Sequence, residues 1–400
     1  MSRFLRVIPV AEAITSLLAI APDPGVEMVG LEEAPFRILG SDITAPDDMP
    51  GFARSIVDGY AVTASDTAGA GEALPSMLLS TGRVEMGSSD PGEIGPGSCR
   101  YVPTGGMVPK GADAVVMIEY TEEMGDQVLV NRPAASGENI VAPDEDFTRG
   151  EVILQAGRRI LPQDAGVLAA AGILSLPVRQ VPRIAVIATG DELIPPTADP
   201  LPGQVRDVNS IVCETFIRQC GCIPVSCGII RDNPADLTSA LQEAVQRADA
   251  VFISGGSSKD ERDASAQVIA ALGKVLVHGI AISPGKPTII GDVAGRPVIG
   301  LPGHPSSAFI VLLAVAAPLL AAMSGRQMPL RSIPATLTAG IPSARGREDY
   351  VRVRLYDGEA HPLFSKSGLL HTLVQSDGYV IVPASSEGYE QGAAVEVILW

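Results

Sequence analysis

The sequence sets two acidic residues, Asp191 and Glu192, directly behind the apolar run "RIAVIAT" (183–189), in the stretch "TGDEL" (189–193). Three more stretches of this kind follow: "SGGSSKDERD" (254–263), "SPGKP" (283–287) and "LPGHPSS" (301–307). Each contains glycine, which lets a backbone approach a ligand or turn with its amides facing one way. "GGSS" offers clustered N–H and hydroxyl donors, and the helix expected behind it presents a positive dipole end. That is anion-binding chemistry. Lys286, Lys259, Arg262 and His304 are candidate charges for it, and Asp191, Glu192 and Asp263 are candidate oxygen ligands for a hard cation such as Mg²⁺. Basic loops beside acidic ones suit a phosphate or pyrophosphate bridged by that ion.

Plainer readings stand beside these. Asp263 also fits the N-cap of a following helix. Asp191 and Glu192 also fit a solvated strand end, and Lys259 and Arg262 also fit weak surface pairs with Asp260 and Glu261. No single loop is specific. The chain has no G-x-x-x-x-G-K-[ST], no G-x-G-x-x-G after a strand and no metalloprotease motif. Cys213, Cys220, Cys222 and Cys227 crowd together but lack the paired C-x-x-C of zinc sites. With Cys99 they read as small buried hydrophobes in a reducing compartment.

The elements that must position these loops alternate between residues 183 and 325. Strands are expected at 183–189, 222–230, 249–254, 274–279 and, as a pair turning at Gly295, 288–301. Helices are expected at 209–220, capped by Asn209, at 233–248, capped by Asn233, at 263–272 and at 304–323. Apolar strands alternating with helices imply a mostly parallel sheet covered on both faces, and such sheets bind ligands beyond the carboxyl ends of their strands. Residues 45–140 carry short strand-like pieces rich in glycine and proline, a small β-rich domain inserted between 1–44 and 141–180, which together form a segmented linker domain. Residues 181–326 make the α/β domain. Residues 327–400 alternate again as a C-terminal β domain, with turns at Gly358, Gly388 and Gly392.

A length of 400 residues calls for several domains. Aromatics at 4% argue against stacking platforms for single strands, and a net charge of −17 argues against nucleic acid altogether. A small anion needs a locally basic pocket on such a background. The N-terminus reads as an amphipathic helix, not a signal core. The longest apolar run, 308–323, falls short of the roughly 20 residues that span a bilayer. The expectation is a soluble cytoplasmic protein that meets no membrane.

The loops in combination resemble one family. "GDEL" (190–193), "SGGSSKDERD", "SPGKP" and "GLPGHPSSA" (300–308) are similar to the core of molybdopterin molybdenumtransferases, the MoeA family that includes the gephyrin E domain. "RSIVDGYAV" (54–62), "PTGGMVPKGADAVVMIEY" (103–120), "GENIVAPDEDFTRG" (137–150), "REDYVRVRL" (347–355) and "SGLLHTLVQSDGYVIVP" (367–383) extend the likeness over almost the whole chain.

The resemblance implies an elongated homodimer of four-domain chains, with a β-barrel-like C-terminal domain. Its reaction takes adenylylated molybdopterin and molybdate, hydrolyses the phosphoanhydride with Mg²⁺, and releases AMP with the metal on the dithiolene sulfurs. It implies catalytic roles for Asp58, Thr104, Asp191, Glu192, Asp263 and Lys286, with Asp58 and Thr104 acting across the dimer. Substrate contacts fall on Gly190, Asn209, Gly255, Gly256, Ser257, Ser258, Pro284, Gly285, Pro302, Gly303, His304 and Ser306. Molybdate falls to Lys286, Arg352 and Ser367, and the metal to Asp191, Glu192 and Asp263. Other enzymes of the pathway are implied as partners.

The chain departs from the family at several points. Ser283 stands where K-P-G-K has its first lysine, Asp260 replaces a loop glycine, His304 replaces the asparagine of L-P-G-N-P, and Val141–Asp144 lacks the usual arginine and glycine. Lys259 or His304 is expected to restore the missing charge. Tungstate preference, a divergent paralogue, a molybdopterin adenylyltransferase and a non-catalytic scaffold are the alternatives.

Overall fold

The computed structural model describes residues 7–255, 259–326, 330–364 and 369–400, with the backbone alone for 259–263. The chain forms two compact units. One is Met28–Leu176, and the other combines the residues up to Glu27 with Pro177–Trp400.

The larger unit is built on a six-stranded sheet in the order Ile223–Ile230, Arg183–Thr189, Ala250–Ser254, Arg296–Leu301, Ile289–Val293, Lys274–His278. The first four strands run parallel, and the last two join antiparallel. "RIAVIAT" is apolar at consecutive positions because both faces are covered. Ile184 and Val186 enter one core, and Ala185 and Ile187 enter the other. Helices Pro234–Arg247 and Lys259–Leu272 cover the second face, the former through Leu237, Leu241 and Ala244. Asn233 caps the former as expected, its side chain accepting from the Asp236 N–H.

Helix Asn209–Gln219 covers the first face together with the long apolar helix. Helix Val10–Leu18 packs in this same core through Val10, Ala13 and Leu17, an i, i+3, i+7 stripe, rather than with residues 141–180. The long helix, Pro305–Ser324, is long and apolar enough to span a membrane, contrary to the sequence estimate of its length. Most of it is buried in this core. A π turn at Leu312–Ala316 interrupts it just before Pro318, which lacks the N–H for the next helical bond and crowds the carbonyl four residues back.

In the same unit, strands Glu348–Tyr356, Glu359–Pro362, Ser332–Leu337, Ala394–Leu399 and Gly378–Val382 close on themselves as a barrel. The first strand pairs with the last. Val353, Val380, Val382, Val395 and Val397 fill it. Gly388 is not a turn residue: it lies in a short strand paired with Ile341–Pro342. Phe216, Phe309, Trp400, Tyr379 and Tyr350 form a run of ring contacts, 5.2–6.4 Å between centroids, that ties the barrel to the helical layer.

The unit Met28–Leu176 holds another six-stranded sheet, in the order Ala114–Met117, Gly59–Val62, Ser98–Val102, Ser76–Arg83, Gln127–Val130, Thr121–Met124. Short ladders flank it, Ile43–Thr44 with Val152–Leu154 and Arg54–Ser55 with Ile140–Val141.

Cys99, Cys213, Cys220 and Cys222 are buried, and Cys227 is half-buried. Burial pushes the thiols of Cys99, Cys220 and Cys222 up to about 12, and that of Cys213 higher still. A thiolate is the reacting form. In the native protein at pH 8 a water-soluble disulfide reagent is therefore expected to modify Cys227 first and the other four only after denaturation, as read by thiol release against time.

Candidate functional site

The connections after Arg183–Thr189, Ala250–Ser254 and Arg296–Leu301, and the one that joins Lys274–His278 to Ile289–Val293, all emerge at the carboxyl edge of the parallel strands. Strand direction alone thus brings the four glycine-containing stretches together. Two neighbouring clefts lie there, sharing Gly303 and His304.

The first cleft, about 420 Å³, is lined by Thr189, Glu192, Asp207, Asn209, Ser254, Gly255 and the shared pair, among others. Asn209 does not cap its helix. Asp207 takes that place, its Oδ1 accepting from the Ser210 N–H at 3.1 Å. Asn209 Nδ2 instead donates to Ser254 Oγ at 2.8 Å and to the Gly303 carbonyl at 2.9 Å, linking two strand-end loops. Asn209 Oδ1 and Thr189 Oγ1 are buried with no hydrogen-bond partner among the described residues. Buried polar atoms in that state point to a ligand or water that completes them.

Gly190 sits at φ +152°, and a Cβ there would meet the Glu192 carboxylate at 2.8 Å. The positive φ favours glycine at this position, and the absence of a Cβ leaves room for Glu192 to fold back over it. Asp191 Oδ1 accepts from the Asp232 N–H at 3.3 Å, and Asp191 lines neither cleft. Among the described residues no three His, Cys, Asp or Glu side chains form a metal cluster. Gly256, Ser257, Ser258 and Ser367 lie outside the described residues, as does the side chain of Asp263. The backbone of Asp263 is inside helix Lys259–Leu272, past its first turn, so it is not that helix's N-cap.

The second cleft, about 590 Å³, lies between the 280–287 segment, Pro302–His304 with Ser307, and the turn 344–347. Pro284, Gly285 and Lys286 form one wall. Gly285, at φ +130°, packs where a Cβ would come within 2.7 Å of Val311 Cγ2, and this fixes the backbone that carries Lys286. Ser306 is fully buried in the first turn of its helix and lines neither cleft. Arg352 is also buried, on a barrel strand, and burial pulls the pKa of its guanidinium down. It too lines neither cleft, so neither cleft brings Lys286 and Arg352 together.

Sequence reasoning missed Arg345 and Arg347, which face this second cleft, and Asp207, Thr189 and Ser254 in the first. The signal for the arginines was "RGR" (345–347), just ahead of a strand.

In the other unit, Asp58 and Thr104 are brought together. The Thr104 N–H donates to Asp58 Oδ1 at 2.7 Å and its hydroxyl to the same oxygen at 3.1 Å. The backbone bond first and the hydroxyl second hold the Asp58 carboxyl below the usual carboxylate range.

Profiles of known families match nearly all of the chain. Residues 8–172 match "MoeA N-terminal region (domain I and II)", 185–322 match "Probable molybdopterin binding domain", and 334–400 match "MoeA C-terminal region (domain IV)". The molybdopterin molybdenumtransferase of Bacillus subtilis is 32% identical over 98% of this chain and 94% of its own. Molybdopterin molybdenumtransferase 2 of Mycobacterium tuberculosis is 32% identical over 93% and 94%. A crystal structure of a Pyrococcus horikosii molybdopterin biosynthesis MoeA protein superposes with a TM-score of 0.89, at 36% identity over 98% of this chain and 99% of that one.

Fold and clefts define a multidomain α/β and β protein assembled around a molybdenum-cofactor-biosynthesis sheet domain. Within that class, the chain belongs to the MoeA family.

Because its pKa is depressed, Asp58 stays ionised throughout the neutral range, and whatever it adds to stability is lost as pH falls through its folded value. Replacing Thr104 by Val keeps the backbone donor and removes the hydroxyl. The Asp58 pKa is then expected to rise toward the ordinary carboxylate value, as followed by ¹³C NMR titration of labelled aspartates.

Proposed function

We propose that this protein is a molybdopterin molybdenumtransferase. It takes adenylylated molybdopterin and molybdate, adds water across the phosphoanhydride, and releases AMP while the metal passes to the dithiolene sulfurs. The observation that carries this reading is the pair of contiguous clefts joined at Gly303 and His304. One presents buried, incompletely bonded polar atoms. The other is lined by the cations Lys286, Arg345 and Arg347 and, among the described residues, by no carboxylate.

A long substrate with an anionic middle suits the first cleft, and a small oxyanion suits the second. Asn209, bound to Ser254 and Gly303, holds the loops at a fixed spacing, so donors do not have to be ordered when substrate arrives. Lys286, on a backbone fixed by Gly285, offsets negative charge that develops on oxygen. Mg²⁺ is bound in proteins through one or two carboxylates plus substrate phosphates. Of the three expected carboxylates, Glu192 lines the first cleft and is the one placed to hold it there. Asp191, which lines neither cleft, and Asp263, whose side chain lies outside the described residues, are its expected companions, and the ion would neutralise the phosphate oxygens. Asp58 and Thr104 would complete the site from a second copy in a homodimer. Pathway enzymes that supply the substrate are the other proposed partners, and the cytoplasm the proposed location.

The test is to incubate the full-length protein with adenylylated molybdopterin and Mg²⁺, with and without molybdate or tungstate. AMP release that depends on one of the oxyanions is expected, and the more effective anion identifies the physiological one. Lys286→Ala is expected to lower that release by about a hundredfold. ATP consumption in place of AMP release, or inertness with every anion, would overturn the reading.

A further inference from the structure

We propose that Arg347, oriented by Asp349, is a specificity-determining cation of the second cleft. It faces Lys286 and binds a tetrahedral dianion from the barrel side. This deepens the transferase reading and rests on it.

The residues either side of the cleft are tied in register. Ile282 and Ser283 pair in parallel with Glu348 and Asp349, and the Glu348 N–H donates to the Ala281 carbonyl at 2.9 Å. Arg347, the turn residue just ahead of the strand that pairs with Ile282 and Ser283, therefore lines the cleft across from the segment that carries Lys286 three residues after Ser283. The position of the guanidinium is also built. Asp349 is 5% exposed. Its carboxylate accepts from Arg347 Nε at 3.2–3.3 Å and from Nη2 at 3.3 Å, and also from the Ser343 hydroxyl. That arrangement occupies the Nε edge of the fork. Nη1 has no partner among the described residues, and the side chain is 47% exposed on the cleft side of its pair.

An arginine held along one edge by a buried carboxylate presents its outer N–H groups at a set angle. This is the arrangement that suits an oxyanion with several equivalent oxygens. Arg345 differs. Its pair with Glu387, at 3.4 Å, is solvent-exposed on both sides and is weakly held. The Lys286 side chain has no ion pair among the described residues, and Arg347 keeps Nη1 outside its pair with Asp349, so each has a donor to offer a ligand. Among the described residues no carboxylate lines the cleft, and Asp349 reaches it only through its pair with Arg347.

The dianion is either free molybdate or the phosphate of the nucleotide-linked substrate, and separate arms tell them apart. Calorimetric titration of the full-length protein with molybdate alone, and with AMP plus Mg²⁺, is compared for wild type, Arg347→Gln, Arg347→Lys, Arg345→Gln and Asp349→Asn. Arg347→Gln is expected to weaken one of the two ligands by about tenfold or more, as loss of a charged hydrogen bond does. Arg347→Lys should recover part of that loss. Asp349→Asn should fall between wild type and Arg347→Gln, and Arg345→Gln should change affinity by less than about threefold.

Adding Ser283→Lys to Arg347→Gln places a cation on the paired strand and should restore binding, a result that a folding defect would not give. Equal affinity of wild type and Arg347→Gln for both ligands overturns the proposal, as does binding of neither ligand by wild type. If molybdate binds in an Arg347-dependent way while AMP release fails, the cleft assignment stands and the transferase reading falls.

Discussion

A short stretch of parallel pairing, Ile282–Ser283 with Glu348–Asp349, is the constraint on which the second cleft depends. The sheet supplies Lys286 and the barrel supplies Arg347. Neither domain by itself surrounds an anion. The backbone bond from Glu348 N–H to Ala281 O fixes the separation of the two walls, and the aromatic run from Phe216 to Tyr350 stops the barrel from rotating away from the sheet. Aromatic pairs of this kind are worth roughly 0.5–1.5 kcal/mol each beyond their buried area. A few of them hold an interdomain geometry that one backbone bond could not.

The first cleft depends on a different device. Its walls are ends of parallel strands, and parallel strands deliver their loops to one edge whatever the loops contain. What sets their spacing is Asn209, which spends its amide donors on Ser254 and Gly303. The cap duty is left to Asp207, two residues earlier. A cap residue works for its own helix; here the polar side chain at the helix start works for the sheet edge instead. The incomplete bonding of Asn209 Oδ1 and Thr189 Oγ1 leaves a polar surface that a ligand or water would complete.

Local signals in the sequence were read well where one element decides the outcome. "RIAVIAT" had to be a strand covered on both faces, and Asn233-Pro234 had to start a helix. The two antiparallel strands around Ala294-Gly295 follow from Gly295, at φ +75°, which carries Ala294 into a positive φ that alanine alone disfavours. Reading failed where a tertiary partner decides. Asn209 reads as a cap until Ser254 and Gly303 are beside it. Gly388 reads as a turn until Ile341 is found against it. Helix Lys259–Leu272 starts before Asp263 because a charged run can be helical when one flank packs on a sheet, and charge alone does not mark a boundary. Arg345 and Arg347 were invisible as site residues because their register against Ser283 is set by a strand more than sixty positions away.

The acidity of the chain as a whole and the basicity of this cleft are parts of one design. A net charge of −17 disfavours polyanions that come within about a Debye length of the surface, roughly 8–10 Å, and inside the cleft the nearest charges dominate. Within the cleft those nearest charges are Lys286, Arg345 and Arg347, with the buried Asp349 paired to Arg347. On the proposed reading, a small dianion that fits among them is held by these cations, while a nucleic acid, whose charge extends far past the cleft, also meets the rest of an acidic chain. On that reading, discrimination between a compact oxyanion and a polymer of phosphates comes from the small size of the basic region, whose two walls the pairing of Ser283 with Asp349 joins.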